Sequence, residues 1–222
     1  MKHPKVLLID VDGTLTDSYP GIRASFLHAL ADNGIPAPNE DFTRRIPGPP
    51  MVETMQSLGL EGSLLDATLD SYLVHQRTVG WKQAAEFPGM KKLLAQWKAA
   101  GYVLSTATSK SESSAVRLLQ HFGMLEYFDV IATASDDGSR RAKAEVVEFA
   151  LQELQKLSRE QGWAMPAPQQ LLMVGDRIHD IEGARHYGIP VALVEWGYGS
   201  DEERAQADFV VATPEQLADL VR

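Results

Sequence analysis

The feature that most constrains this chain is the run Val6-Leu7-Leu8-Ile9, which ends in Asp10-Val11-Asp12-Gly13-Thr14. Four apolar residues, two of them β-branched, read as a short buried strand. Asp12-Gly13 is an ordinary turn pair. Asp10 is not explained that way, because it places a carboxylate where a buried strand finishes, and Asp12 adds a second. Two carboxylates this close repel unless a cation or a shared proton relieves them. In open α/β sheets, ligands gather outside the carboxyl ends of the strands. The run therefore predicts a sheet whose other strand ends bring further polar groups to the same edge.

The rest of the chain fits that prediction after one interruption. From Asp17 to about Ala85 no strand is convincing. Ile22, Phe26, Ala29 and Leu30 recur at helical spacing until Asn33-Gly34, Val52, Met55 and Leu58 mark a second helix, and Leu65, Leu69 and Tyr72 a third. Arg44 to Pro50 is a breaker-rich loop between them. Beyond Phe87-Pro88-Gly89, helices and strands alternate. Strands are expected at Tyr102–Ala107, Phe128–Ala132, Leu171–Val174, Val191–Val194 and Phe209–Val211. The helices between them are centred on Leu93–Trp97, Ala115–Phe122, Val147–Leu154 and Ile181–His186, with a last one over Pro214–Val221. Such alternation implies right-handed crossovers and a mostly parallel sheet. The fold class is α/β, a Rossmann-like parallel sheet flanked by helices. Its core spans 1–16 and 87–222, and an inserted helical unit spans 17–86.

Composition removes several function classes. A net charge of -9 argues against nucleic acid or an anionic membrane as the main partner. There are no cysteines, so neither a disulfide framework nor thiolate chemistry is available. The basic start, Met1 to Lys5, is followed by too short an apolar run for a signal peptide or a membrane span. A cytoplasmic protein is expected.

Polar residues stand at or just beyond strand ends in four places: Asp10/Asp12, Thr108/Ser109, Lys143, and Asp176/Asp180. Each has an ordinary explanation by itself. Thr108 or Ser109 would cap the next helix, Lys143 would be a solvated lysine at a helix start, and Asp176 and Asp180 would be capping carboxylates. Together and in this order, those explanations lose force. The string Asp10-Val11-Asp12-Gly13-Thr14-Leu15-Thr16 resembles the first motif of the haloacid dehalogenase superfamily. Thr108, in Val103-Leu104-Ser105-Thr106-Ala107-Thr108-Ser109-Lys110, matches the second motif, with Thr106 as the alternative register. Lys143 matches the third, with Lys110 as its competitor. Gly175-Asp176-Arg177-Ile178-His179-Asp180 matches the fourth. Ser135–Arg140, Trp196–Ser200 and Gly48-Pro49-Pro50 are similar to a branch that groups phosphoglycolate phosphatases with bacterial 5′-nucleotidase-like proteins.

The resemblance implies a Mg²⁺-dependent phosphatase acting on a small phosphomonoester through an aspartyl-phosphate. Asp10 would be the nucleophile and Asp12 the proton-transfer group, with Thr108 and Lys143 completing the catalytic set. Gly13, Thr108, Ser109 and Lys143 would meet the phosphoryl group. Asp10, the backbone carbonyl of Asp12, and Asp176 would hold Mg²⁺, with Asp180 acting through a metal-bound water or holding Lys143. These residue types suit the chemistry. A carboxylate beside a cation can form an acyl phosphate. A second carboxylic acid can move the protons, and a lysine and a hydroxyl can balance the phosphoryl oxygens. The rivals are a 5′-nucleotidase-type phosphatase, a phosphomutase and a catalytically silent binding protein. Dehalogenation is disfavoured because it needs no proton donor at Asp12. Arg44, Arg45 and Arg77 stay unassigned, His179 and the pair Glu202-Glu203 read as solvated, and the oligomeric state is open between monomer and homodimer.

Overall fold

The computed structural model describes residues 5–222, and the basic stretch Met1–Pro4 lies outside them. The elements run β1 (Val6–Ile9), β2 (Thr16–Asp17), α1 (Tyr19–Asp32), α2 (Glu40–Thr43), α3 (Met51–Gln56), α4 (Gly62–Thr78), β3 (Ala85–Glu86), α5 (Met90–Ala99), β4 (Val103–Thr106), β5 (Thr108–Ser111), α6 (Glu112–His121), β6 (Thr133–Ala134), α7 (Lys143–Gln161), β7 (Leu172–Gly175), α8 (Ile178–Arg185), β8 (Val191–Val194), α9 (Asp201–Arg204), β9 (Phe209–Val211) and α10 (Pro214–Leu220). The chain divides into two compact units, Met1–Leu15 with Glu86–Arg222, and Thr16–Ala85.

The larger unit is built on a five-stranded sheet in the order β4-β1-β7-β8-β9. All its pairings are parallel. Both faces are covered, as parallel sheets require. Val6, Leu8, Val103, Met173, Val191 and Leu193 pack on one side against Val146, Val147, Ala150 and Leu154 of α7 and Ile181 and Ala184 of α8. Leu7 and Ile9 alternate to the other face and are buried too. Among the described residues, no helix is long and apolar enough to cross a membrane.

The smaller unit is a helical bundle in which α1 packs along α4. Its core is Ile22, Phe26, Ala29, Leu30, Ile46, Met55, Leu60, Leu65 and Tyr72. Gly21 lets the backbones meet there: a Cβ on it would lie 2.0 Å from the Gly80 carbonyl oxygen.

One expectation fails in the larger unit. Phe128–Ala132 is not a strand. Val130 makes one isolated bridge to Ser105, and the Asp129 carboxylate takes the Leu104 N–H at 2.9 Å while pairing with Lys98. A side chain that occupies a backbone donor interrupts the ladder. The segment 108–111, just after β4, pairs again. It forms β5, parallel to β6, with a register shift between Thr108 and Ser111.

Leu8 is fully buried between β1 and the helices. Leu8→Ala is expected to cost about 2–5 kcal/mol, read as a lower urea midpoint at an unchanged slope.

Candidate active site

The site is set by strand register. Ile9 of β1 lies opposite Thr106 of β4 and Val174 of β7. One residue further, Asp10 N–H donates to the Val174 carbonyl at 2.9 Å and Ala107 N–H to the Ile9 carbonyl at 2.8 Å. Asp10, Ala107-Thr108 and Gly175-Asp176 therefore leave the sheet side by side at its carboxyl edge.

Lys143 joins them from the first residue of α7. A cation there sits at the unfavourable end of the helix dipole, so something else must hold it. Its ammonium donates to Asp10 Oδ1 at 2.9 Å and to the Ala107 carbonyl at 2.9 Å. It also forms an ion pair with Asp180 Oδ1 at 2.7 Å. Burial alone would draw the lysine's pKa down, but Asp10 and Asp180 more than reverse that, and it ends above its ordinary value.

Asp10, Asp176 and Asp180 each offer an oxygen within 4.8 Å of the others, and all three are buried. Burial, with the charges of Asp180 and Asp12, outweighs the pull of Lys143 and pushes Asp10 up to about 6. Burial, then Asp180 and Asp10, pushes Asp176 well above the carboxylate range. Asp176 Oδ2 accepts the Tyr198 N–H at 2.7 Å, while its Oδ1 has no hydrogen-bond partner. Asp180 Oδ2 is occupied by the N–H groups of Asp176 and Arg177, both at 3.0 Å. An orphaned buried oxygen among crowded carboxylates suits a hard divalent cation with few protein ligands.

Glycines make room for this crowding. A Cβ on Gly13, whose φ is +85°, would lie 2.1 Å from Asp176 Oδ2, and one on Gly197 would lie 2.3 Å from Asp176 Cβ. Backbone thus closes on Asp176 from two loops.

Asp12 is held apart from that cluster. Lys110 Nζ donates to its Oδ2 at 2.8 Å and its Oδ1 at 3.1 Å. The two lysines that competed in the sequence are therefore both engaged, Lys143 with Asp10 and Lys110 with Asp12. The Thr108 hydroxyl is buried and accepts the Lys110 N–H at 3.2 Å, and Ser109 is half-buried beside it. The hydroxyl of Thr106, the alternative register, is spent inside the sheet on the Ala132 carbonyl at 2.8 Å.

Sequence reasoning missed three supports. Trp196 Nε1 donates to the Thr14 carbonyl at 3.0 Å, anchoring the loop that carries Tyr198. Glu203 is not solvated: it accepts from Ile178 N–H at 3.0 Å and pairs with Arg177 at 3.1 Å. Lys110 reaches across to Asp12. The glycines of Trp196–Ser200 were the available sign that this loop meets backbone or a buried group closely. Nothing local marked Glu203, and Lys110 stood out only as a competitor of Lys143.

The raised Asp10 carboxyl gives a pH signature. In chelator, the native state keeps a proton between the ordinary carboxylate range and about pH 6 that the unfolded chain has released. Stability should therefore fall as pH rises through that window. Asp10→Asn should make this part of a stability–pH curve, measured by urea unfolding, less steep, the remaining slope coming from Asp176, whose carboxyl is raised too.

Comparison with known proteins follows the same lines. A family model described as haloacid dehalogenase-like hydrolase matches residues 7–194. The protein named tyrosine-protein kinase PtkA from Mycobacterium tuberculosis is 43% identical over 212 residues, covering 96% of this chain and 67% of that protein. A 5′-nucleotidase from Pseudomonas aeruginosa is 32% identical over 204 residues, covering 91% of this chain and 87% of that protein. The crystal structure of a predicted phosphatase from Clostridium acetobutylicum superposes with a TM-score of 0.87 at 28% identity, covering 99% of both chains. A strand ending in Asp10, a lysine bound between Asp10 and Asp180, and a family match over most of the chain agree: this protein belongs to the haloacid dehalogenase-like hydrolases.

Proposed function

We propose that the chain is a Mg²⁺-dependent phosphatase that hydrolyses a small phosphomonoester through an aspartyl-phosphate on Asp10. The observation that carries the reading is the Lys143 ammonium, bound between Asp10 and Asp180, beside an Asp176 oxygen that has no partner. Relatives and solved structures named as phosphatases support the same reaction class. A phosphoglycolate-type substrate and a cytoplasmic location belong to the proposal, as does a cap role for residues 17–86.

Asp10 Oδ2 is the oxygen left to attack, since Oδ1 is held by Lys143. As Asp10 bonds to phosphorus, the bond to the leaving oxygen breaks and Asp12 supplies that oxygen's proton. Asp12 then takes a proton from the water that attacks the phosphoryl group, and Asp10 leaves as a carboxylate. Lys143, the Thr108 hydroxyl and Gly13 balance the phosphoryl oxygens. Asp10, Asp176 and the Asp12 carbonyl would hold Mg²⁺, which supplies further charge neutralisation when bound. Asp180 positions Lys143.

The 43% identical relative named as a tyrosine-protein kinase favours a second reading, in which a tyrosine hydroxyl takes part in phosphoryl transfer. Radiolabelled nucleoside triphosphate separates the two. Label released as inorganic phosphate supports hydrolysis, and label retained on tyrosine supports transfer.

Asp10→Asn keeps the shape and removes the nucleophile, so turnover of any phosphomonoester should fall to background with an unchanged circular dichroism spectrum. More than about a tenth of wild-type activity, a barrier change under about 1.4 kcal/mol, would exclude Asp10 as nucleophile. Mg²⁺ at about a hundred times its Kd should add about 2.7 kcal/mol to stability. Asp176→Ala should abolish that gain in a thermal melt.

A further inference from the structure

Lys110 has no part in the mechanism above, yet it makes a part-buried charge pair in the larger unit. Its side chain is 10% exposed and that of Asp12 is 21%. The ammonium meets both carboxylate oxygens, at 2.8 and 3.1 Å. The two residues are 98 positions apart in the chain, so this is not a local pair formed by sequence proximity. Burying a long, rotamer-rich lysine costs conformational entropy and desolvation, which argues against an incidental surface contact.

The backbone is shaped to deliver it. Lys110 lies where the β5–β6 ladder shifts register, between the pairs Thr108–Thr133 and Ser111–Ala134. A bulge re-aims the side chains within it. Lys110 N–H is tied to the Thr108 hydroxyl at 3.2 Å, fixing the start of that bulge.

We propose that Lys110 is a positioning residue for proton transfer. Its ammonium holds the Asp12 carboxylate in the orientation from which Asp12 exchanges a proton with the leaving oxygen and then with water. This rests on the aspartyl-phosphate reading. An ammonium has three protons and can keep one carboxylate oxygen fixed while the other exchanges its contact for a proton. Lys143 serves the bond to phosphorus through Asp10, and Lys110 serves the proton through Asp12. No proton is lost or gained by Lys110 in either half-reaction. The proton that Asp12 gives to the leaving oxygen is replaced by the one it takes from water.

Leaving-group dependence tests this. Lys110→Met, Lys110→Gln and Lys110→Arg are compared with wild type in single-turnover measurements on an alkyl phosphate and on p-nitrophenyl phosphate, with thermal melts alongside. p-Nitrophenolate departs without a proton, whereas an alkoxide needs one. General acid–base help is worth on the order of 10²–10⁴-fold. The Met and Gln variants should lose at least about tenfold of that on the alkyl ester, with phosphorylation by p-nitrophenyl phosphate nearly unchanged. Their dephosphorylation should be slower, so that phospho-enzyme accumulates. Lys110→Arg should recover most of the loss. Equal losses on both esters with a raised KM would make Lys110 a phosphoryl ligand, and no loss on either would make it a structural lysine; each overturns the proposal. A fall on both esters in proportion to a lower melting temperature would overturn it too. Asp10→Asn and Asp12→Ala are run in parallel. If Asp10→Asn still turns over, or Asp12→Ala shows no leaving-group selectivity, the aspartyl-phosphate reading itself fails, whatever Lys110 does.

Discussion

Much of the candidate site depends on one buried ammonium. Lys143 is bound to the carboxylate that follows β1, to a carbonyl that follows β4 and to a carboxylate in the first turn of α8. It thereby ties three separately folded segments to the start of α7. Without it, three carboxylates would crowd a site with little solvent, at a steep cost in self-energy and mutual repulsion. The arrangement remains incompletely neutralised, with Asp10 and Asp176 both held above the ordinary carboxylate range by burial and by one another. The proposed divalent cation would offset that surplus of negative charge, in a protein whose net charge of -9 would otherwise repel the proposed phosphorylated substrate.

Backbone does as much here as side chains. Asp176 is held by the Tyr198 N–H, and Gly13 and Gly197 approach it more closely than any side chain would allow. The loop after β8 is fastened by Trp196 to the Thr14 carbonyl, and the start of α8 by Glu203 to Arg177 and Ile178. A carboxylate that is to hold a metal, as proposed for Asp176, needs its second oxygen and its rotamer fixed before its first oxygen is useful. These contacts supply that restraint from segments remote in sequence.

The edge holds two lysine–aspartate pairs. One is buried and lies with the cluster of acids, and the other, Lys110 with Asp12, is more open. The division suits a reaction in which making the bond to phosphorus and moving a proton are separate tasks. It also fits a family whose relatives carry names as different as a 5′-nucleotidase and a tyrosine-protein kinase, because one fold hosts several functions through the groups that border its site.

Much of this was legible in the chain. An apolar run followed at once by Asp10-Val11-Asp12-Gly13 is a covalent fact, so the strand, the abrupt stop and the acids at its end could be read without a fold. The alternation of later helices and strands followed from hydrophobic period, which depends on near neighbours. Three things needed the tertiary structure. Which of Lys110 and Lys143 reaches Asp10 depends on where two crossovers end, and no local pattern encodes that. Phe128–Ala132 has the composition of a strand, but Asp129 takes up the Leu104 N–H that a continuous ladder would have to share, a competition visible only when the two segments meet. Glu203 reads as a solvated acid, yet it becomes a brace because Arg177 and the open N-terminus of α8 are folded against it. The sequence determined which groups stand at the strand ends. The parallel register decided which of them are neighbours, because long-range charge pairing is fixed by strand order and not by separation along the chain.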